Sequence, residues 1–173
     1  MGKKIAVVLT DMFEDIEYTN PAEAFKDAGH ELTVIEKEKG NTVTGKNGEA
    51  KITVDASIDD VKPDDFDALF IPGGFSPDML RADERFVNFA KTFMDEKKLV
   101  LTLCHGPQLL ITARTLDGRK STGFKSIRVD LENAGAHVVD QEVANCQDQL
   151  ITSRDPNDLP AFNKESLRML AKL

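Results

Sequence analysis

Tryptophan is absent from the 173-residue chain, tyrosine occurs once, and cysteine only twice, at Cys104 and Cys146. Two cysteines cannot build the disulfide framework of a small secreted domain, and neither stands in a Cys-x-x-Cys pair, so the expected setting is a reducing, cytoplasmic one. The three histidines, His30, His105 and His137, lack ligand-like spacing, which argues against a metal site. No apolar run approaches the roughly 20 residues of a membrane-spanning helix, so no membrane partner is expected. The opening MGKKIAVVLTDMFEDIE joins a basic pair to apolar residues as a secretory signal does. Acids follow within a few residues and no small-residue cleavage site appears, so the stretch is read as a first strand. A basic cluster is missing too. Net charge is -8, with Lys and Arg scattered, which leaves no positive stripe to neutralise phosphates and excludes a nucleic-acid partner. The acidity itself serves solubility.

What is present is a core: 40% of the residues are hydrophobic, enough for one compact domain over residues 1–173. Apolar runs of strand length alternate with amphipathic segments of helix length. IAVVL at 5–9 has no polar interruption, as expected of a strand covered on both faces. A helix is predicted over 15–28, stopped by Gly29, then a strand over 31–35. Alternating Thr and Val with two glycines over 41–54 predict short strands or a hairpin. A buried strand over 67–71 ends abruptly at Pro72-Gly73-Gly74, and Phe86, Phe89, Ala90 and Phe93 recur at helical spacing behind it. The pattern continues with a strand at 99–103, helices at 107–115 and 127–134, strands in AHVV, EVANC and 149–152, and a last helix over 160–173 that buries Leu159, Phe162, Leu167 and Leu170 on one side. This β-α-β-α succession predicts an α/β, flavodoxin-like sandwich: a mostly parallel sheet with helices on both faces.

In such sheets ligands bind beyond the carboxyl ends of the strands, and LVLTLCHGPQLL puts Cys104 there. Pro107 suits a first helical turn, so Cys104 lies just before a helix N-terminus, where a thiolate is favoured and the thiolate is the nucleophile. The turn resembles in its logic the nucleophile elbow of hydrolases with Cys in place of Ser. Most cysteines are buried and inert; strand end, helix start and an adjacent histidine favour a reactive thiol here. Cys146, in EVANCQDQ with no basic neighbour, is read as a bystander. His105 is placed to act as base or as ion-pair partner. His30 and His137 follow glycine-containing turns and read as ordinary strand entries.

Two further elements converge on the same sheet edge. The glycines of Pro72-Gly73-Gly74 let backbone N–H groups approach an oxyanion. DMFEDIE sets Glu14, Asp15 and Glu17 at a helix start, where acids are often only dipole partners. Glu17, one turn inside, is placed to face the pocket, where burial raises a carboxyl pKa and lets a protonated acid hydrogen-bond the sulfur.

With these residues in order, from IAVVLTDMFEDIE through FDALFIPGGFSPDMLR and LCHGPQLL to GRKSTGF and LITSRDPNDLPAF, the chain resembles the ThiJ/PfpI family of intracellular cysteine proteases and glyoxalase-III-like proteins, within the class I glutamine amidotransferase-like fold. The resemblance implies Cys104 as nucleophile, Glu17 as the acid that hydrogen-bonds it and holds its pKa low, Gly73, Gly74 and the His105 N–H as the oxyanion hole, and His105 as triad base. In the protease branch a Glu from a neighbouring subunit completes the triad. Asp78, one methylene shorter, stands at the matching position, and Phe124 stands where several protease-like relatives place Tyr. The resemblance also implies a homodimer, with hexamers known in the family, and no cofactor.

Three functions compete. Cys104 attacks a small reactive carbonyl such as methylglyoxal and releases lactate, or reverses early glycation by the same first step. Alternatively, a Cys104–His105–Asp78 triad completed across subunits cleaves peptides. The third is not enzymatic: Cys104 is a peroxide-sensing thiol of a stress protein or holdase. Glutamine amidotransfer is discounted, because the later chain offers only His137 for the His-x-Glu pair that chemistry needs.

Overall fold

A computed structural model describes residues 2–173. Its frame is a seven-stranded sheet in the order β10-β11-β7-β6-β1-β2-β5. The strands are β1 (Lys4–Val8), β2 (Glu31–Glu36), β5 (Ala56–Ser57), β6 (Ala68–Ile71), β7 (Leu99–Leu103), β10 (Ala144–Cys146) and β11 (Leu150–Ser153). All neighbours are parallel except the edge pair of β10 and β11. Helices α1 (Asp15–Asp27) and α6 (Leu159–Ala171) cover one face. The other carries α3 (Glu84–Asp95) and α4 (Pro107–Thr112), with the short α2 (Ser76–Leu80) and α5 (Arg128–Asn133) beside them.

The period of two along each strand divides the core between these layers. Ile5, Val7, Ala68, Phe70, Leu99 and Leu101 point toward Tyr18, Phe25, Phe162 and Leu170. Ala6, Val8, Leu69, Ile71 and Val100 point toward Phe86, Phe89, Phe93 and Leu109. Both faces of the central strands are thus dry, which is why they read as unbroken apolar runs. The expected α/β sandwich with a mostly parallel sheet is the fold observed.

The differences lie at the margins. Gly29 ends α1 as anticipated, at φ +90°, where a side chain would be strained. The helix after β7 stops at Thr112 rather than 115, because Arg114 turns into the left-handed region at φ 58°. The predicted helix at 127–134 opens instead with a 3-10 turn, Lys125–Ile127, ahead of α5. AHVV does not join the main sheet: β9 (His137–Val138) pairs only with β8 (Lys120–Ser121), a two-residue strand absent from the sequence reading. Leu167 is half-buried at the edge of the layer that Leu159, Phe162 and Leu170 fill. The predicted hairpin is present as β3 (Thr42–Thr44) paired with β4 (Lys51–Thr53). Among the described residues no helix is long and apolar enough to cross a membrane.

Candidate active site at the β7–α4 elbow

Cys104 leaves the end of β7 with φ 58°, a left-handed conformation that costs a non-glycine residue of order 1 kcal/mol or more. Two other segments hold it there. Its N–H donates to the Ser153 carbonyl at 3.0 Å, and its carbonyl accepts from Phe124 N at 2.9 Å. Gly106 completes the turn because nothing larger fits: a Cβ there would lie 1.9 Å from Thr102 Oγ1 and 2.6 Å from the Ile71 carbonyl. Since α4 spans six residues, the local N–H groups matter more to the sulfur than a long helix dipole does. Those of Gly74 and His105 face Sγ and pull its pKa down.

Glu17 reaches the same point from α1. It is fully buried, and its Oε1 accepts from Gly73 N at 3.1 Å. Oε2 is buried without a hydrogen-bond partner of good geometry; the neighbouring group is the Cys104 sulfur, near enough that each shifts the other's titration. Burial pushes the Glu17 carboxyl up to about 8, so it carries its proton at neutral pH. The thiol is also pushed up, first by burial and next by whatever charge Glu17 carries. This departs from the expectation that Glu17 simply holds the thiol pKa low. Sulfur ionises readily only while Glu17 keeps its proton, because two adjacent buried negative charges repel.

His105 Nδ1 lies 3.3 Å from Cys104 Sγ, and its Nε2 3.3 Å from Ser126 Oγ. The ring stacks on Phe124, centroids 4.9 Å apart. Burial, then the nearby Lys46 charge, lowers its pKa. The imidazole is therefore neutral at pH 7, a base rather than the positive half of an ion pair.

Not every residue singled out from the sequence lands on the sulfur. Gly73 gives its N–H to Glu17, so of the three oxyanion-hole candidates the pair facing the sulfur is Gly74 and His105. Gly74, at φ 80°, packs against the loop after β1, where a Cβ would lie 2.3 Å from Glu14 N. Asp78 sits on α2 with its side chain 67% exposed and 3.6 Å from Arg81; it makes no hydrogen bond to His105 within the chain. Cys146 does have a basic neighbour: Arg119, from 27 residues earlier, donates Nε to its sulfur at 3.4 Å and also binds Gln149. His30 Nδ1 accepts from Lys3 N at 3.0 Å, a structural bond.

The sequence reading missed Lys46 and Ser126. Lys46 arrives at the tip of the β3–β4 hairpin, and Ser126 from the 3-10 turn before α5; no local pattern marks either. Phe124 was visible only as a departure from a family position, and its stacking on His105 is what the structure adds.

The model of the DJ-1/PfpI family matches residues 3–169. General stress protein 18 of Bacillus subtilis is 73% identical over 99% of this chain and 100% of its own length. Protein/nucleic acid deglycase 2 of Escherichia coli is 58% identical over 98% of this chain and 99% of its own. Among solved structures, a two-domain Anabaena variabilis protein with DJ-1/ThiJ/PfpI-like and ferritin-like domains superposes with a TM-score of 0.94 at 37% identity; 98% of this chain spans 50% of that one. Drosophila melanogaster DJ-1beta superposes with a TM-score of 0.88 at 25% identity, over 100% of this chain and 91% of its own.

Proposed function

The chain belongs to the DJ-1/PfpI family, and from that membership and the cluster of Cys104, Glu17 and His105 we propose a stress-defence enzyme acting on small reactive carbonyls. The relatives named as a general stress protein and a deglycase support the role. One observation carries the chemistry: Sγ sits on a left-handed elbow, 3.3 Å from a neutral imidazole, with two N–H groups facing it.

The reaction balances without an outside oxidant. His105 Nδ1 takes the thiol proton as sulfur attacks the aldehyde carbon of methylglyoxal. An S–C bond forms, and the carbonyl electron pair moves to oxygen, stabilised by the N–H groups of Gly74 and His105. The returned proton gives a hemithioacetal. Moving its C–H hydrogen to the adjacent ketone, by way of an enediol, oxidises the first carbon to a thioester and reduces the second to an alcohol. Water then cleaves the thioester, releasing lactate and the thiol. Removing an early sugar adduct from a thiol or amine begins with the same capture.

The test is NMR of methylglyoxal incubated with the wild type and with Cys104→Ser. Stoichiometric lactate from the wild type alone is the expected result; turnover that survives Cys104→Ser overturns the reading.

A homodimer is part of the proposal. Of the six large hydrophobic side chains exposed among the described residues, Met12 lies in the β1–α1 loop, Ile16 at the start of α1, Phe75 just before α2 and Met79 on α2, all flanking the elbow. Phe75 N bonds Met12 O at 2.8 Å, joining the two segments into one surface for a second copy. Equilibrium sedimentation of wild type and Phe75→Glu tests it: a monomeric wild type defeats it.

A further inference from the structure

We propose that Lys46 is a positioning residue for Cys104: its ammonium, carried by the β3–β4 hairpin to the turn that bears Gly74, is the nearby cation that favours negative charge on the sulfur, and Glu14 moderates it. The inference rests on Cys104 being the nucleophile, and its test reads the thiol directly rather than any substrate.

The placement is built into the fold. The hairpin lies across the loop between β1 and α1, held by Met12 N to Thr44 O at 2.9 Å and Lys46 N to Phe13 O at 2.8 Å. Asp11 Oδ1 accepts from Thr44 N at 2.8 Å. Asp15, almost wholly buried, accepts from Asn47 N at 2.9 Å, Glu49 N at 3.0 Å and Ala50 N at 2.8 Å. Gly45 is pressed so closely on this carboxylate that a Cβ would lie 2.3 Å from it. One buried acid therefore closes the hairpin turn and fixes the root of the Lys46 side chain.

From that root, Nζ extends to 2.6 Å from Glu14 Oε2 and 5.8 Å from the centroid of Phe75. Phe75 directly follows Gly74, whose N–H faces the sulfur. The titratable groups facing Lys46 are Glu14, Glu17, Cys104 and His105. Glu17 carries its proton at neutral pH, so Glu14 supplies the standing negative charge beside the ammonium. A cation here acts in two directions at once: it favours a negative sulfur and disfavours a positive imidazole. It eases the build-up of negative charge on sulfur during attack and keeps the resting His105 neutral, ready to take the thiol proton. Because the ammonium is paired with Glu14, removing the Glu14 charge strengthens the effect.

The experiment is the pH dependence of iodoacetamide alkylation at Cys104, followed by peptide mass mapping of the full chain, with melting temperatures as a check on folding. Lys46→Met is expected to react about tenfold more slowly at neutral pH, its profile displaced upward by about one pH unit. Lys46→Arg restores most of the rate, and Glu14→Gln displaces the profile downward. A Lys46→Met profile that superposes on the wild type, or a Lys46→Arg as slow as Lys46→Met, overturns the proposal. If Lys46→Met does not fold, an unmoved Glu14→Gln profile overturns it equally. A wild-type Cys104 that iodoacetamide fails to alkylate across the whole pH range removes the nucleophile reading and this one with it; an alkylated wild type with an unmoved Lys46→Met removes Lys46 alone.

Discussion

Glu17 Oε1 and Gly73 N meet at 3.1 Å across 56 positions of chain. The bond ties α1 to the turn after β6 and leaves the second carboxyl oxygen buried beside the nucleophile. Gly73 cannot gain a side chain without crowding both partners, since a Cβ would lie 2.4 Å from Glu17 Oε1 and 2.9 Å from Cys104 Cβ.

That carboxyl predicts a pH-dependent stability. The unfolded chain releases the Glu17 proton near 4.5, the folded protein only at about 8, so between these values the folded state binds more protons. Stability is fully present below the lower value and declines as pH rises toward the upper one. Cys104 titrates above this window, its thiol being pushed up as well. Urea unfolding at both ends of the range should show the decline in wild type and a flatter profile in Glu17→Gln. Equal slopes would assign the titration elsewhere.

Gly106→Ala should cost about 2–3 kcal/mol, the usual result of forcing a methyl into a filled space, because Thr102 Oγ1 and the Ile71 carbonyl occupy it. Thr102 Oγ1 already donates to Ile71 O at 2.8 Å, so neither can yield without breaking that bond. Denaturant midpoints measure the loss; a neutral substitution would mean that the elbow opens easily.

Asp78→Ala should leave both stability and lactate formation unchanged. The carboxylate is 67% exposed and makes a loose pair with Arg81 at 3.6 Å, an arrangement worth about 0–1 kcal/mol. A peptidase activity that used the expected Cys104–His105–Asp78 triad across subunits would, by contrast, fall. Parallel assays on one preparation separate the two; lost lactate formation would bring Asp78 into the carbonyl reaction.

Dilute peroxide should oxidise Cys104 to the sulfinic acid in a Cys146→Ser protein, as intact mass will show. The protonated Glu17 carboxyl and the N–H groups of Gly74 and His105 are the donors such an anion needs. A Cys104 that stays unmodified while free cysteine oxidises would argue against a sensing role.

The layered fold was legible because central strands covered on both faces carry runs such as IAVV and LVLTL, while α3 repeats its phenylalanines at helical spacing. The elbow was legible because a Cys-His-Gly-Pro run directly follows such a strand. What escaped reading depends on contacts between distant segments. The two-residue strands β5 and β8 are too short for any periodicity. Arg119 meets Cys146 only through the fold, and Lys46 reaches the site only because Asp15 closes the hairpin. Burial reversed one inference: a helix-start cysteine reads as acidic, but the enclosing core pushes the thiol the other way.

The backbone of Cys104 is clamped between Phe124 and Ser153. A ribosome delivers residues in order, so the thiol emerges well before the two segments that bend it into its left-handed turn. Until the strand carrying Ser153 inserts beside β7, the nascent chain carries an ordinary, relaxed cysteine. The left-handed turn is thus acquired late in synthesis, and a chain broken off before that strand would hold the same residues without the elbow.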